Sequence, residues 1–193
     1  MNDRLQDLIN GLADHSALLD SLMRFSANDL VFLLAAIPPI LWFWPAPAQQ
    51  RSRNQRLAAL AVLSVLIAVV GARLLGALYS ESRPFVSDPD TRLLIHHDAD
   101  NGFPSDHVAF AAAIAGVLLF SLPQLGLPAL LGVLAIGVSR VFVGVHWPLD
   151  VVAAFGLGVA TGALVLQAEP LLVGPQRAFS RLLPPLLLSP PSP

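Results

Sequence analysis

The sequence predicts an all-α membrane protein, a polytopic bundle of five transmembrane helices preceded by an N-terminal interfacial helix. Two observations carry this. Of 193 residues, 55% are hydrophobic and only 12% charged, with a mean hydropathy of +0.67, far from the balance of a soluble domain. Moreover, five apolar stretches approach the length that a helix needs to cross a bilayer, about 20 residues for a hydrocarbon core about 30 Å thick.

The first element, residues 1–27, repeats Leu5, Leu8, Ile9, Leu12, Leu19, Leu22 and Met23 at helical spacing, with Asp3, Asp7 and Asp14 elsewhere on the wheel. Such a stripe suits a helix lying along the membrane. No apolar h-region follows Met1, so no cleaved signal peptide is expected. Residues 29–44 form the first span, short, kinked at Pro38-Pro39 and ending on the interfacial aromatics Trp42, Phe43 and Trp44. Residues 57–79, 105–122, 128–145 and 149–168 form the other four. Domain boundaries follow: residues 28–168 make the membrane domain, and residues 169–193, rich in leucine and proline, make an unstructured cytoplasmic tail.

The loop after the first span carries Arg51, Arg53 and Arg56, and the tail after the last carries Arg177 and Arg181. The positive-inside rule puts both groups in the cytoplasm. Residues 80–104 and the turn at residues 146–148 then face outward, and the turn at residues 123–127 faces inward. A net charge of −2 and the lack of any basic cluster interleaved with aromatics leave no nucleic-acid partner to expect, and the absence of cysteine removes disulfides and thiolate metal sites. No protein partner is indicated.

Charged groups at span ends are costly and mark function. Here Arg83-Pro84 closes the second span, Pro104-Ser105-Asp106-His107 opens the third, Ser139-Arg140 lies late in the fourth, and His146 and Asp150 bracket the start of the fifth. All fall at the outer end. The residue types suit phosphoryl transfer. Arg83 and Arg140 grip phosphate oxygens in bidentate fashion, Ser105 adds a hydroxyl, and the start of the third helix offers free N–H groups. Asp150 orients His146 for attack on phosphorus, and His107 protonates the departing oxygen. Asp106 is either a substrate-binding residue or simply a helix cap. His96, His97, Asp98 and Asp100 suggest a metal site only weakly; a solvated loop is the plainer reading. Glu81 either aids binding or pairs with an arginine. Gly156, Gly158 and Gly162 permit close helix packing.

These segments resemble the signature of the type 2 phosphatidic acid phosphatase superfamily: Lys, six residues, Arg-Pro; Pro-Ser-Gly-His; Ser-Arg, five residues, His, three residues, Asp. Ser139-Arg140, His146 and Asp150 match the third part fully, Arg83-Pro84 the end of the first, and residues 104–107 the second except for Asp106. The resemblance implies metal-independent hydrolysis without cofactor, with His146 as nucleophile, Asp150 its partner, His107 the general acid, and Arg83, Ser105 and Arg140 as phosphate ligands. The Pro-Ser-Asp-His form, Arg83-Pro84-Phe85 and residues 144–148 look like the branch of bacterial undecaprenyl-pyrophosphate phosphatases. That branch implies a lipid diphosphate substrate, the bacterial cytoplasmic (inner) membrane and an extracytoplasmic site. Phosphatidylglycerol phosphate or phosphatidic acid as substrate, or transfer to another lipid, are the alternatives. The signature lysine falls at Gly76, and all eleven basic residues are arginine. Arg73 lies one turn deeper, and because side chains lean toward the helix N-terminus it is not expected to substitute.

Overall fold

The computed structural model describes residues 2–170. Helices make up the architecture: α1 (Asn2–Asn10), α2 (Ala17–Asn28), α3 (Leu30–Ala35), α4 (Ile37–Phe43), α5 (Ala48–Leu78), α6 (Pro84–Ser87), α7 (Asp106–Ser121), α8 (Pro123–Phe142) and α9 (Pro148–Gln167). Among the described residues the extended pairing is limited to one isolated bridge between Ser82 and Asn101. Among the described residues three helices, α5, α8 and α9, are long and apolar enough to cross a membrane; α2 with α3–α4 makes a fourth if that pair, bent by 41°, counts as one span. The apolar α7 has 16 residues.

The bundle is centred on α7, which is buried along most of its length by α5, α8 and α9. Alanines dominate its core face, with Ala109, Ala112 and Ala113 fully buried, and glycines on α9 let the backbones close up. A Cβ at Gly158 would stand 2.5 Å from the Ala112 Cβ, and one at Gly162 would stand 2.8 Å from the Val117 nitrogen. Without a hydrophobic drive between helices in lipid, small residues of this kind supply the association through packing.

Several boundaries differ from the sequence expectation. The N-terminal segment is two helices, not one. The break runs through Asp14, at φ 63°, and Ser16 caps α2 by accepting the Leu19 N–H at 3.4 Å. Its apolar stripe divides accordingly: Leu5, Leu8, Leu12 and Leu22 are exposed, while Ile9, Leu19 and Met23 pack on Phe142, Val143 and Val145. The arginine-bearing segment expected as a loop is helical. Arginine, glutamine and alanine are good helix formers, and α5 starts at Ala48 and runs 31 residues, about 46 Å at 1.5 Å per residue. The expected turn at residues 123–127 is likewise the first part of α8, because Pro123 fits the opening turn of a helix. Only Leu122 then separates α7 from α8. Gly126 makes so sharp a reversal possible, since a Cβ there would fall 2.3 Å from the Leu119 Cα. The expected kink at Pro38-Pro39 is not where the span bends: both prolines lie in the first turn of α4, and the 41° bend falls at Asp29, between α2 and α3. The tail from residue 171 onward lies outside the described residues.

The two ends of the bundle differ in chemistry. At one end Arg53 donates to the Ser121 carbonyl at 2.9 Å and Arg56 pairs with Glu169 at 2.8 Å. At the other, α1, the connection from Tyr79 to Ser105 and the turn before α9 gather. There the Asn2 side chain accepts the Leu149 N–H at 3.1 Å, and Gln6 donates to Thr91 at 3.3 Å.

Candidate active site

Two local features aim His146 inward. Gly144 adopts φ +84°, a conformation open to glycine at no steric cost, and a Cβ there would meet the Arg92 carbonyl oxygen at 2.6 Å. The chain reverses so that the Val145 N–H reaches the Arg140 carbonyl at 3.2 Å. Pro148 then opens α9 and places Asp150 in its first turn, where the carboxylate accepts the Trp147 N–H at 2.8 Å. His146 is 2% exposed and Asp150 fully buried.

The imidazole lies between two guanidiniums. Its Nε2 is 3.3 Å from Arg83 Nη1 and 3.4 Å from Arg140 Nη2. Its Nδ1 is 3.5 Å from Asp150 Oδ2, long for a hydrogen bond, as catalytic contacts often are before substrate binds. A proton on Nδ1 facing the carboxylate leaves the Nε2 lone pair toward the arginines. Burial holds the His146 pKa well below its ordinary 6.5, and the positive charges of Arg140 and Arg83 push the same way. Both effects favour the neutral form of the ring.

Each arginine is fixed from behind. Arg83, 5% exposed, donates through Nε to Asp100 Oδ1 at 2.8 Å, through Nη1 to the Val145 carbonyl at 2.9 Å and through Nη2 to the Asn101 carbonyl at 3.3 Å. Arg140, 2% exposed, donates to the Ala27 carbonyl at 3.4 Å, and its Nε is buried without a partner. The Ser105 hydroxyl is also buried without a partner, and it makes no capping bond at the start of α7. An unpaired guanidinium donor beside the cleft fits an anion that would satisfy it.

A cavity of about 390 Å³ opens here, with Arg73, Arg83, His97, His107, Arg140 and His146 in its wall. The structure thus brings His107 and His146 to one cavity, as expected from sequence. Ser105 and Asp150 do not line it; they stand behind its surface. A larger cavity of about 540 Å³ beside α1 has four carboxylates, Asp3, Asp7, Asp88 and Asp90, against the single cation Arg92 in its wall, a balance unfavourable to a phosphate. No group of three or more His, Cys, Asp or Glu side chains able to hold a metal occurs among the described residues.

Asp106 is the first residue of α7 and not its cap; it lies in the cavity wall, and its carboxylate pairs with Arg73 at 3.1 Å. Arg73, one turn deeper than the signature lysine position, is in that wall too. The sequence reading also missed the loop residues that hold the site. Asp100 braces Arg83. Burial raises the Asp100 pKa, but the hydrogen bond and charge of Arg83 outweigh this and leave it lowered. Asn101 ties the loop to the end of α5, donating to the Gly76 carbonyl at 2.8 Å and accepting the Glu81 and Phe103 N–H groups, each at 3.0 Å. His97 stands edge-on to His146 with ring centroids 6.4 Å apart, and burial lowers its pKa. The excess of His, Asp and Asn over residues 96–101 was the available signal.

An all-helical membrane fold with a buried imidazole caged by guanidiniums defines a phosphoryl-transfer protein. The PAP2 superfamily model matches residues 57–172. An undecaprenyl-diphosphatase BcrC of Bacillus subtilis is 33% identical, covering 89% of this chain and 86% of its own. A bacitracin transport permease protein BcrC of Bacillus licheniformis is 30% identical over 84% and 77%. Among solved structures, Aquifex aeolicus LpxE superposes with a TM-score of 0.72 at 25% identity, over 85% of this chain and 93% of that one. The chain belongs to the PAP2 superfamily and is a lipid phosphatase.

Proposed function

We propose that the chain hydrolyses undecaprenyl diphosphate to undecaprenyl phosphate at the outer face of the bacterial cytoplasmic membrane, through a phosphohistidine on His146. The observation that carries the chemistry is the contact of His146 Nε2 with both Arg83 and Arg140, at 3.3 and 3.4 Å. A terminal phosphate taking up those N–H groups would hold its phosphorus against the same nitrogen. Nε2 then forms the N–P bond as the P–O bond to the lipid phosphate breaks, and His107 delivers a proton to the departing oxygen. Asp150 stabilises the imidazolium. Water, deprotonated by His107, attacks the phosphohistidine and releases inorganic phosphate. The arginines and the start of α7 offset the charge that develops, so the scheme needs no metal or cofactor.

The substrate is argued from the Bacillus subtilis relative, named an undecaprenyl-diphosphatase. In the membrane we assign five spans: α2 with α3–α4, then α5, α7, α8 and α9, with α1 along the interface. At 16 residues α7 is about 24 Å long, short for a span, and it is shielded from lipid by its neighbours. Arg51, Arg53 and Arg56 at the opposite end from His146 support an outer-side site by the positive-inside rule.

The test is phosphate release by detergent-solubilised protein with EDTA present, comparing undecaprenyl diphosphate, phosphatidylglycerol phosphate and phosphatidic acid. Preference for the first, abolished by His146→Ala, supports the proposal. A metal requirement, or turnover in that variant, overturns it. The Bacillus licheniformis relative is named a transport permease; a purely transporting protein would keep its activity in His146→Ala.

A further inference from the structure

Arg73 has no role in the scheme above. It is a charged side chain on a helix of membrane-crossing length, and Val70, Leu74 and Leu78 around it on α5 are all exposed and apolar. A cation in such surroundings is costly and marks a use, with its partner part of the argument. The partner is Asp106, the first residue of α7, 3.1 Å away. Both side chains are exposed, so the pair contributes little to stability. Yet the guanidinium stands in the wall of the cavity that holds His146.

We propose that Arg73, steered by Asp106, binds the non-transferred phosphate of a diphosphate headgroup and so sets a preference for lipid diphosphates over lipid monophosphates. This rests on the phosphatase reading of the site. Arg83 and Arg140 both touch His146 Nε2 and are buried, so they are committed to the phosphorus under attack. A diphosphate carries a second anionic group toward its lipid chain. Arg73 belongs to the wall whose outward face is apolar, the side on which that chain would lie. A guanidinium has five N–H donors, so it can hold Asp106 along one edge and a phosphate oxygen along another.

The backbone explains why the cation sits at position 73 and not one turn later. A Cβ at Gly76 would fall 2.9 Å from the Phe103 carbonyl oxygen and 3.3 Å from Asn101 Nδ2. Position 76 is closed to any side chain by the loop packed on it. Gly76 and Asp106, the two departures from the family pattern, become parts of one arrangement.

The experiment compares wild type, Arg73→Ala, Arg73→Lys and Asp106→Asn for phosphate release from a polyprenyl diphosphate and the matching monophosphate. In parallel, calorimetry measures binding of inorganic pyrophosphate and of inorganic phosphate. For Arg73→Ala the diphosphate-to-monophosphate ratio of kcat/KM is expected to fall about ten-fold, one charge-assisted contact, chiefly through KM. Pyrophosphate binding weakens by a similar factor relative to phosphate, Arg73→Lys recovers part of both, and Asp106→Asn falls between. Equal loss on both substrates, or an unchanged pyrophosphate-to-phosphate ratio, overturns the proposal. Absence of phosphate release by the wild type would instead overturn the phosphatase reading, and the calorimetric ratio would still decide the role of Arg73.

Discussion

Asp150 Oδ2 lies 3.5 Å from His146 Nδ1 and at the same time accepts the Trp147 N–H at 2.8 Å. The carboxylate to which our mechanism gives the orienting role is thus itself fixed by the first turn of α9. Asp150→Asn preserves the shape but can turn an N–H toward Nδ1, favouring the tautomer with its proton on the attacking nitrogen. In our mechanism kcat falls by about 10²- to 10⁴-fold, as when a triad carboxylate is made neutral, while KM changes far less. Steady-state kinetics on a lipid diphosphate provide the check. A loss smaller than ten-fold would remove Asp150 from the mechanism.

The lowered pKa of His146 has a consequence for stability. Burial, and then Arg140 and Arg83, hold its folded pKa well below 6.5. The unfolded chain therefore binds this proton more readily than the folded one. Stability associated with the neutral ring is intact above about pH 6.5 and is lost as pH falls below that value toward the folded pKa. The unfolding midpoint in detergent should decline below about pH 6.5, and His146→Gln should make the decline shallower. An equally steep decline in the variant would assign it to other groups.

The site was legible where chemistry and spacing coincide. Arg140, His146 and Asp150 lie within eleven residues, so one helix end and one turn bring them together, and Arg83 and His107 sit at span ends that the topology places on the same face. The supporting loop was not legible. Asp100 and Asn101 act through hydrogen bonds to Arg83 and α5 that depend on how residues 88–103 fold back, and nothing periodic marks such a path. The pairing of Arg73 with Asp106 was not legible either, because it depends on how α5 and α7 pack against each other. In the fold, the long apolar helices were evident, but the start of α5 was not, since arginines read as a loop by charge are helix formers by backbone preference.

Asn10 connects the N-terminal helix to the catalytic turn. It is buried, and its amide donates at 2.8 Å to both the Arg92 and Phe142 carbonyls while its oxygen accepts the Arg92 N–H at 2.9 Å. Asn10→Ala removes all three bonds. At about 1 kcal/mol net for each, the expected cost is roughly 2–3 kcal/mol, seen as a lower unfolding midpoint in detergent. Because Phe142 immediately precedes the turn that presents His146, kcat should fall as well. An unchanged midpoint would show that α1 docks without this residue.

Gly156 and Gly158, two residues apart on α9, make a controlled comparison of packing. A Cβ at Gly156 meets nothing within 4 Å, whereas one at Gly158 would stand 2.5 Å from the Ala112 Cβ and 2.6 Å from the Ala109 carbonyl oxygen. Alanine is the better helix former by about 1 kcal/mol, so Gly156→Ala should be neutral or slightly stabilising. Gly158→Ala carries the same intrinsic gain but must push α7 away, at a cost of about 1–3 kcal/mol for overpacking. Since α7 carries His107 and α9 carries Asp150, that displacement moves the acid relative to the nucleophile and should lower kcat several-fold. Thermal unfolding and phosphate release, measured together on both variants, test this; equal behaviour of the two alanines would mean that the α7–α9 contact tolerates a methyl group.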